Sequence, residues 1–119
     1  MKTTLPPISE IDLSYIAGML DGEGSIYPFQ TGFRIGIANS DEAVIRWMHG
    51  VIGIGKVRIN KAREHQHLDS YCLDISRHGD IWGFLEVVMP YLRIKKQKAI
   101  NAINHYEAKH NKNVMISGG

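Results

Sequence analysis

Asp21 and Glu23 stand either side of Gly22, directly after the apolar run Ile16-Ala17-Gly18-Met19-Leu20 and directly before Gly24. If that run is helical, both acids fall at a helix C-terminus, where the partial negative charge of the free carbonyls disfavours each by about 0.3–1 kcal/mol unless something positive answers it. Lys2 is the only basic residue in the first 33 positions, so the sequence supplies no local partner. Acids held against local preference mark functional positions, and a bound divalent cation is the expected compensation. Its ligands must be oxygens. Cys72 is the only cysteine, which excludes an intramolecular disulfide and a cysteine-rich zinc site and fits a reducing, intracellular compartment. His65 and His67 lack a third ligand nearby, and His49, His78, His105 and His110 form no ligand spacing.

The cations are clustered although the net charge is only +2. Lys56, Arg58, Lys61 and Arg63 fall within eight residues with no acid between them, and Arg93, Lys95, Lys96 and Lys98 fall within six. Such patches suit an anionic polymer better than the overall charge suggests.

The elements that must carry these groups follow from periodicity. Ser9 caps a helix with Leu13, Ile16, Ala17 and Leu20 on one face, and Gly24 ends it. From Ser25 to Asn39 the pattern alternates, with Thr31-Gly32 between two strands of a hairpin. Asn39-Ser40-Asp41-Glu42 opens a second helix carrying Val44, Ile45, Met48, Val51 and Ile52, and Gly53-Ile54-Gly55 stops it. Alternation over Lys56–Asn60 and Ser70–Ser76 predicts a second hairpin with a polar connection. A third helix is expected from Asp80 to Met89, ended by Pro90, and a last one from about Ile94 to Lys109, with the tail over about 110–119 fraying.

The predicted order is αββαββαα: an α+β domain over 1–119, with a four-stranded antiparallel sheet and helices on one face. Trp47 and Trp82, on amphipathic helices, are expected in core or interface packing. The opposite sheet face is expected to carry Ser25, Tyr27, Phe29, Arg34, Lys56, Arg58, Asn60, Ser70, Cys72 and Asp74, a mixed, partly basic surface of the kind that reads base edges in a DNA major groove. No apolar run approaches the ~20 residues that cross a bilayer, and no signal-peptide core follows Lys2, so membrane partners and secretion are not expected. Gly50–Lys56 resembles a phosphate loop, but Val57 replaces the required Ser or Thr and the helix-to-strand context is reversed, so no nucleotide cofactor is expected.

Ile16–Gly24 resembles the nine-residue signature of the LAGLIDADG homing endonucleases, with Gly22 in place of the signature alanine and Glu23 where many members have Asp. The element order is similar to that family's fold over nearly the whole chain. The resemblance implies a homing-endonuclease fold and a site-specific double-stranded DNA endonuclease that hydrolyses phosphodiester bonds with Mg²⁺. Glu23 is implied as the catalytic metal-binding carboxylate, with the Gly22 carbonyl beside it. Pro90–Lys98 resembles the stretch bearing the family's active-site lysine, which falls on Lys95, with Lys96 and Lys98 as alternatives. A water-positioning polar residue falls on Asn39, with Ser40 or Asp41 as alternatives. Lys61, Arg63 and Lys98 join the sheet face as implied DNA contacts. A single motif copy implies a homodimer on a pseudo-palindromic target, with Ala17, Gly18, Asp21 and Gly22 at the helix contact, and an intron-encoded or mobile-element origin. A non-catalytic relative such as an intron maturase is the alternative.

Overall fold

The computed structural model describes residues 1–62 and 68–118, with the side chains of 113–118 excepted. Helix α1 spans Glu10–Glu23, and the Ser9 hydroxyl caps it by accepting the Asp12 N–H at 3.2 Å. Strands β1 (Gly24–Phe29) and β2 (Gly32–Asn39) form a hairpin, followed by α2 (Glu42–Ile52), whose N-cap Asp41 accepts the Val44 N–H at 3.0 Å. Gly53 ends α2 in the left-handed region, at φ 72°, a conformation that favours glycine. A second hairpin, β3 (Lys56–Asn60) and β4 (Ser70–Ile75), leads to α3 (His78–Val88), a 3-10 turn at Met89–Tyr91, and α4 (Lys96–Gly118).

The four strands make one antiparallel sheet in the order β1-β2-β4-β3. Period-2 alternation sends Ile26, Ile35, Ile37, Leu73 and Ile75 to one face, where they are buried against Ile16 and Leu20 of α1, Ile45, Met48 and Ile52 of α2, Ile81, Phe84 and Leu85 of α3, and Ala99 and Ala102 of α4. The expected α+β order and one-sided helical layer are therefore observed.

Two boundaries differ from expectation, and α4 is longer than predicted. Helix α3 starts two residues before Asp80, because Asp80 is drawn inward and is only 8% exposed, accepting the Thr3 hydroxyl at 2.6 Å. Helix α4 begins at Lys96 rather than Ile94, and Asp21 accepts the N–H groups of Arg93 and Lys95 in the turn just before it. Its backbone runs on to Gly118.

The N-terminal residues form a strap over α3. Thr3 donates its N–H to Gly79 O at 3.1 Å, Lys2 pairs with Glu86 at 2.5 Å and lies 5.5 Å from the Trp82 ring centroid, and Leu5 and Ile8 pack on the core. Trp82, 9% exposed, is a core residue as expected, whereas Trp47 remains 38% exposed.

Candidate nucleic-acid interface and catalytic end

The helix-end acids resolve in different ways. Both Asp21 carboxylate oxygens are engaged: one accepts the Arg93 N–H at 2.7 Å and the other the Lys95 N–H at 2.9 Å. The Lys95 ammonium donates to the Asp21 backbone oxygen at 2.6 Å. Lys95 is thus the cation that the α1 C-terminus lacked in the sequence, placed there by a contact 74 residues away. For Asp21 this corrects the expectation of a metal counterion. Burial pushes its carboxyl up, but the N–H groups of Arg93, Lys95 and Ile94 and the charge of Lys95 outweigh that and hold it below the ordinary carboxylate value.

A lowered carboxyl contributes stability that is present above its unfolded pKa and lost as pH falls through the folded one. Asp21→Asn is therefore expected to cost roughly 0.5–1.5 kcal/mol at pH 7, where one N–H loses its acceptor to solvent, and to show a shallower loss of Tm on acidification than the parent. Thermal melts at pH 7 and pH 3 check this; parallel pH slopes would refute it.

Glu23, the last residue of α1, is exposed. The Gly24 N–H closes back on Leu20 O, so the chain turns from helix into β1 directly beyond the acid. Glu23 and the Gly22 carbonyl offer hard oxygen donors suited to Mg²⁺. Among the described residues, no group of three or more His, Cys, Asp or Glu side chains could hold a metal by itself.

Asn39 closes β2 and shares the parity of Ile35 and Ile37, so it lies on the helix side of the sheet. Its Oδ1 accepts the Asp41 N–H at 2.8 Å. Of the alternatives, Asp41 is occupied as the cap of α2.

The outer sheet face is assembled as the alternation requires. Register pairs Ser25 with Gly36, Tyr27 with Arg34, Gly36 with Asp74, Lys56 with Asp74, Arg58 with Cys72 and Asn60 with Ser70. Arg34 lies 3.9 Å over the Phe29 ring, a cation–π contact that fixes both. Arg58 donates from Nε to Asp74 at 2.8 Å and from Nη1 to Asn60. Cys72 is the correction on this face: it is 6% exposed, covered by its neighbours, and so cannot contact DNA directly. Lys61 is exposed and 3.6 Å from Asp69, and Lys96 and Lys98 are exposed on the first turn of α4. Arg63, like His65 and His67, lies outside the described residues.

Arg77 was not anticipated. It precedes α3 and lines one groove with Arg34, Lys56, Arg58 and Tyr27. It belongs to neither basic run, and only the turn from β4 into α3 brings it to the sheet face.

The four residues expected at a helix contact divide. Gly18 and Gly22 are exposed, with nothing within 4 Å of where a Cβ would stand. Ala17 is 0% exposed and faces the core, which corrects that assignment, and Asp21 is engaged within the chain. Ile11 and Tyr15 continue the open face, and Tyr15 meets Trp47 of α2 edge-on at 5.6 Å.

No protein-family model and no curated protein sequence matches the chain. Solved structures do. The homing endonuclease I-CvuI in complex with its target in the presence of 2 mM Ca is similar at a TM-score of 0.61 and 17% identity, over 79% of this chain and 64% of that one. The same enzyme on another target with 2 mM Mg, its DNA not cleaved, gives 0.61 and 17% over 80% and 65%. The archaeal intron-encoded homing endonuclease I-Vdi141I complexed with DNA gives 0.60 and 19% over 76% and 64%. The chain has the homing-endonuclease fold. This is the architecture that the resemblance of Ile16–Gly24 implied, and the chain spans 64–65% of the length of these neighbours.

Proposed function

We propose that the chain is a site-specific DNA endonuclease of the homing type, acting with a divalent cation, Mg²⁺ by preference, as a homodimer on a pseudo-palindromic duplex. The observation that carries this reading is the junction at the end of α1. The Lys95 ammonium lies 2.6 Å from the Asp21 carbonyl, two residues before the exposed Glu23, and the strand that leaves this junction enters the basic sheet face. Duplex lying on Tyr27, Arg34, Lys56 and Arg58 would extend toward the end of α1 that carries Glu23 and is contacted by Lys95.

Glu23 and the Gly22 carbonyl would hold the metal, which would supply charge neutralisation on attacking and leaving oxygens. The protein's own groups do the rest. Glu23 gives the anionic oxygens, Lys95 holds a positive charge where a phosphate oxygen or a polarised water is stabilised, and the Asn39 amide donates to water at the end of the sheet. The open α1 face, with Gly18 and Gly22 flanked by Ile11 and Tyr15, suits close approach of a second copy, which brings the second Glu23 to the same place. In this reading the free, buried Cys72 is consistent with an intracellular setting. Among the described residues no helix is long and apolar enough to cross a membrane.

Selection of cleaved sites from a randomised duplex library, with and without Mg²⁺, tests the whole reading. A palindromic consensus recovered only with metal is expected; duplex bound but never cut under any divalent cation would instead favour a maturase-like binder. Lys95→Met is expected to slow cleavage by roughly 10²–10³-fold and to weaken binding much less. Equal losses in single-turnover cleavage and in binding would reduce Lys95 to a phosphate contact.

A further inference from the structure

Asp74 is the one carboxylate among the register-paired positions of the outer face, where it stands among Arg34, Lys56 and Arg58. An acid there repels phosphate, so a surface selected only for affinity would omit it. Its register partner on β3 is Lys56, yet its oxygens are directed elsewhere. Oδ2 accepts the Arg58 Nε–H at 2.8 Å, diagonally across the strands, and Oδ1 accepts the Cys72 thiol at 3.1 Å. Burial, then the adjacent Asp74, pushes that thiol up to about 11, so it stays protonated and donating. Arg58 Nη1 is held in turn by Asn60 Oδ1.

Two of the five guanidinium N–H donors are therefore engaged within the sheet. The remaining Nη1 hydrogen and both Nη2 hydrogens are left for a ligand. The Arg58 side chain is still 55% exposed. An exposed arginine usually samples many rotamers; this one is anchored through its Nε–H and one Nη1 hydrogen, with three free hydrogens on Nη1 and Nη2, the pair of nitrogens that matches O6 and N7 of guanine.

We propose that Asp74, backed by Cys72, is a positioning residue that fixes Arg58 to read one guanine in each half of the DNA target. This rests on the DNA-binding reading above.

Selection of bound, uncleaved sequences from a randomised duplex library without metal, read position by position, tests it. The parent is expected to prefer guanine about tenfold or more at one position per half-site. Asp74→Asn is expected to lose most of that preference while keeping the others within about twofold, and to bind random duplex as tightly or more tightly, because a negative charge is gone. Arg58→Ala should lose the same preference, and adding Asp74→Asn to it should change that preference no further. Arg58→Lys, which keeps the charge but not the Nε anchor, should resemble Asp74→Asn and covers the case in which that variant does not fold. A guanine preference that survives Asp74→Asn, or an equal change at every position, overturns the positioning role while the DNA reading stands. A parent that enriches no sequence overturns both.

Discussion

Glu23→Gln is expected to abolish metal-dependent cleavage while leaving DNA affinity within roughly tenfold. Glutamine keeps the length of the side chain and its place at the end of α1, but removes the charge proposed to draw Mg²⁺ and offers one neutral oxygen instead of a carboxylate. The two acids of this helix end are separable because the fold gives them different partners. Asp21 holds the Arg93–Lys95 turn through both oxygens, whereas Glu23 is exposed. The substitution should therefore change stability by no more than about 0.5 kcal/mol, as for other surface positions. Cleavage assays over a Mg²⁺ series, beside binding measured in Ca²⁺, provide the check. Undiminished cutting would remove Glu23 from the metal site, and a large fall in Tm would mean that the residue supports the fold.

Gly83→Ala carries the largest expected effect on stability. An added Cβ would fall on the backbone oxygen of Thr3, with Leu5 Cδ1 at 3.2 Å. Backbone cannot swing aside as a flexible side chain can, so the strap must lift from α3. That lift strains the Thr3 N–H bond to Gly79, the Thr3–Asp80 bond at 2.6 Å and the Lys2–Glu86 pair. Overpacking of this kind costs about 1–3 kcal/mol, a fall in Tm of roughly 4–12 °C for a domain of this size. Gly50→Ala, in α2, makes the same chemical change where nothing lies within 4 Å. There alanine should stabilise by up to about 1 kcal/mol, because a helical glycine loses more backbone freedom on folding. Melting both variants, with limited proteolysis of the N-terminus, separates a strap effect from a general helix effect. Equal shifts of one sign would refute the strap's role.

The parts of the fold that were legible rest on local rules. Helix α2 reads from its capping run Asn39–Glu42, its apolar face and its glycine stop, and the outer sheet face reads from alternation alone, because neighbouring strand residues must point to opposite sides. The misplaced boundaries are those where a distant group overrides local preference. Asp21 fixes the turn ahead of α4 by accepting the N–H groups of Arg93 and Lys95, and Thr3 draws Asp80 inward so that α3 starts before it. Ala17 and Gly18 show the limit from the other side. Both are small and adjacent: spacing put Ala17 on the apolar face, where it is fully buried, whereas the resemblance set it beside Gly18 at a helix contact, and only Gly18 lies open.

From sequence alone came the kinds and order of the elements, the polar sheet face, and an acid pair too poorly compensated to be incidental, since these follow from short-range geometry along the chain. Tertiary structure alone decided that Lys95 answers Asp21, that Asp74 anchors Arg58, and that Arg77 joins the basic groove. Those relations depend on how separately folded segments dock and in what register, and no repeat of two or 3.6 residues encodes a contact 74 positions away.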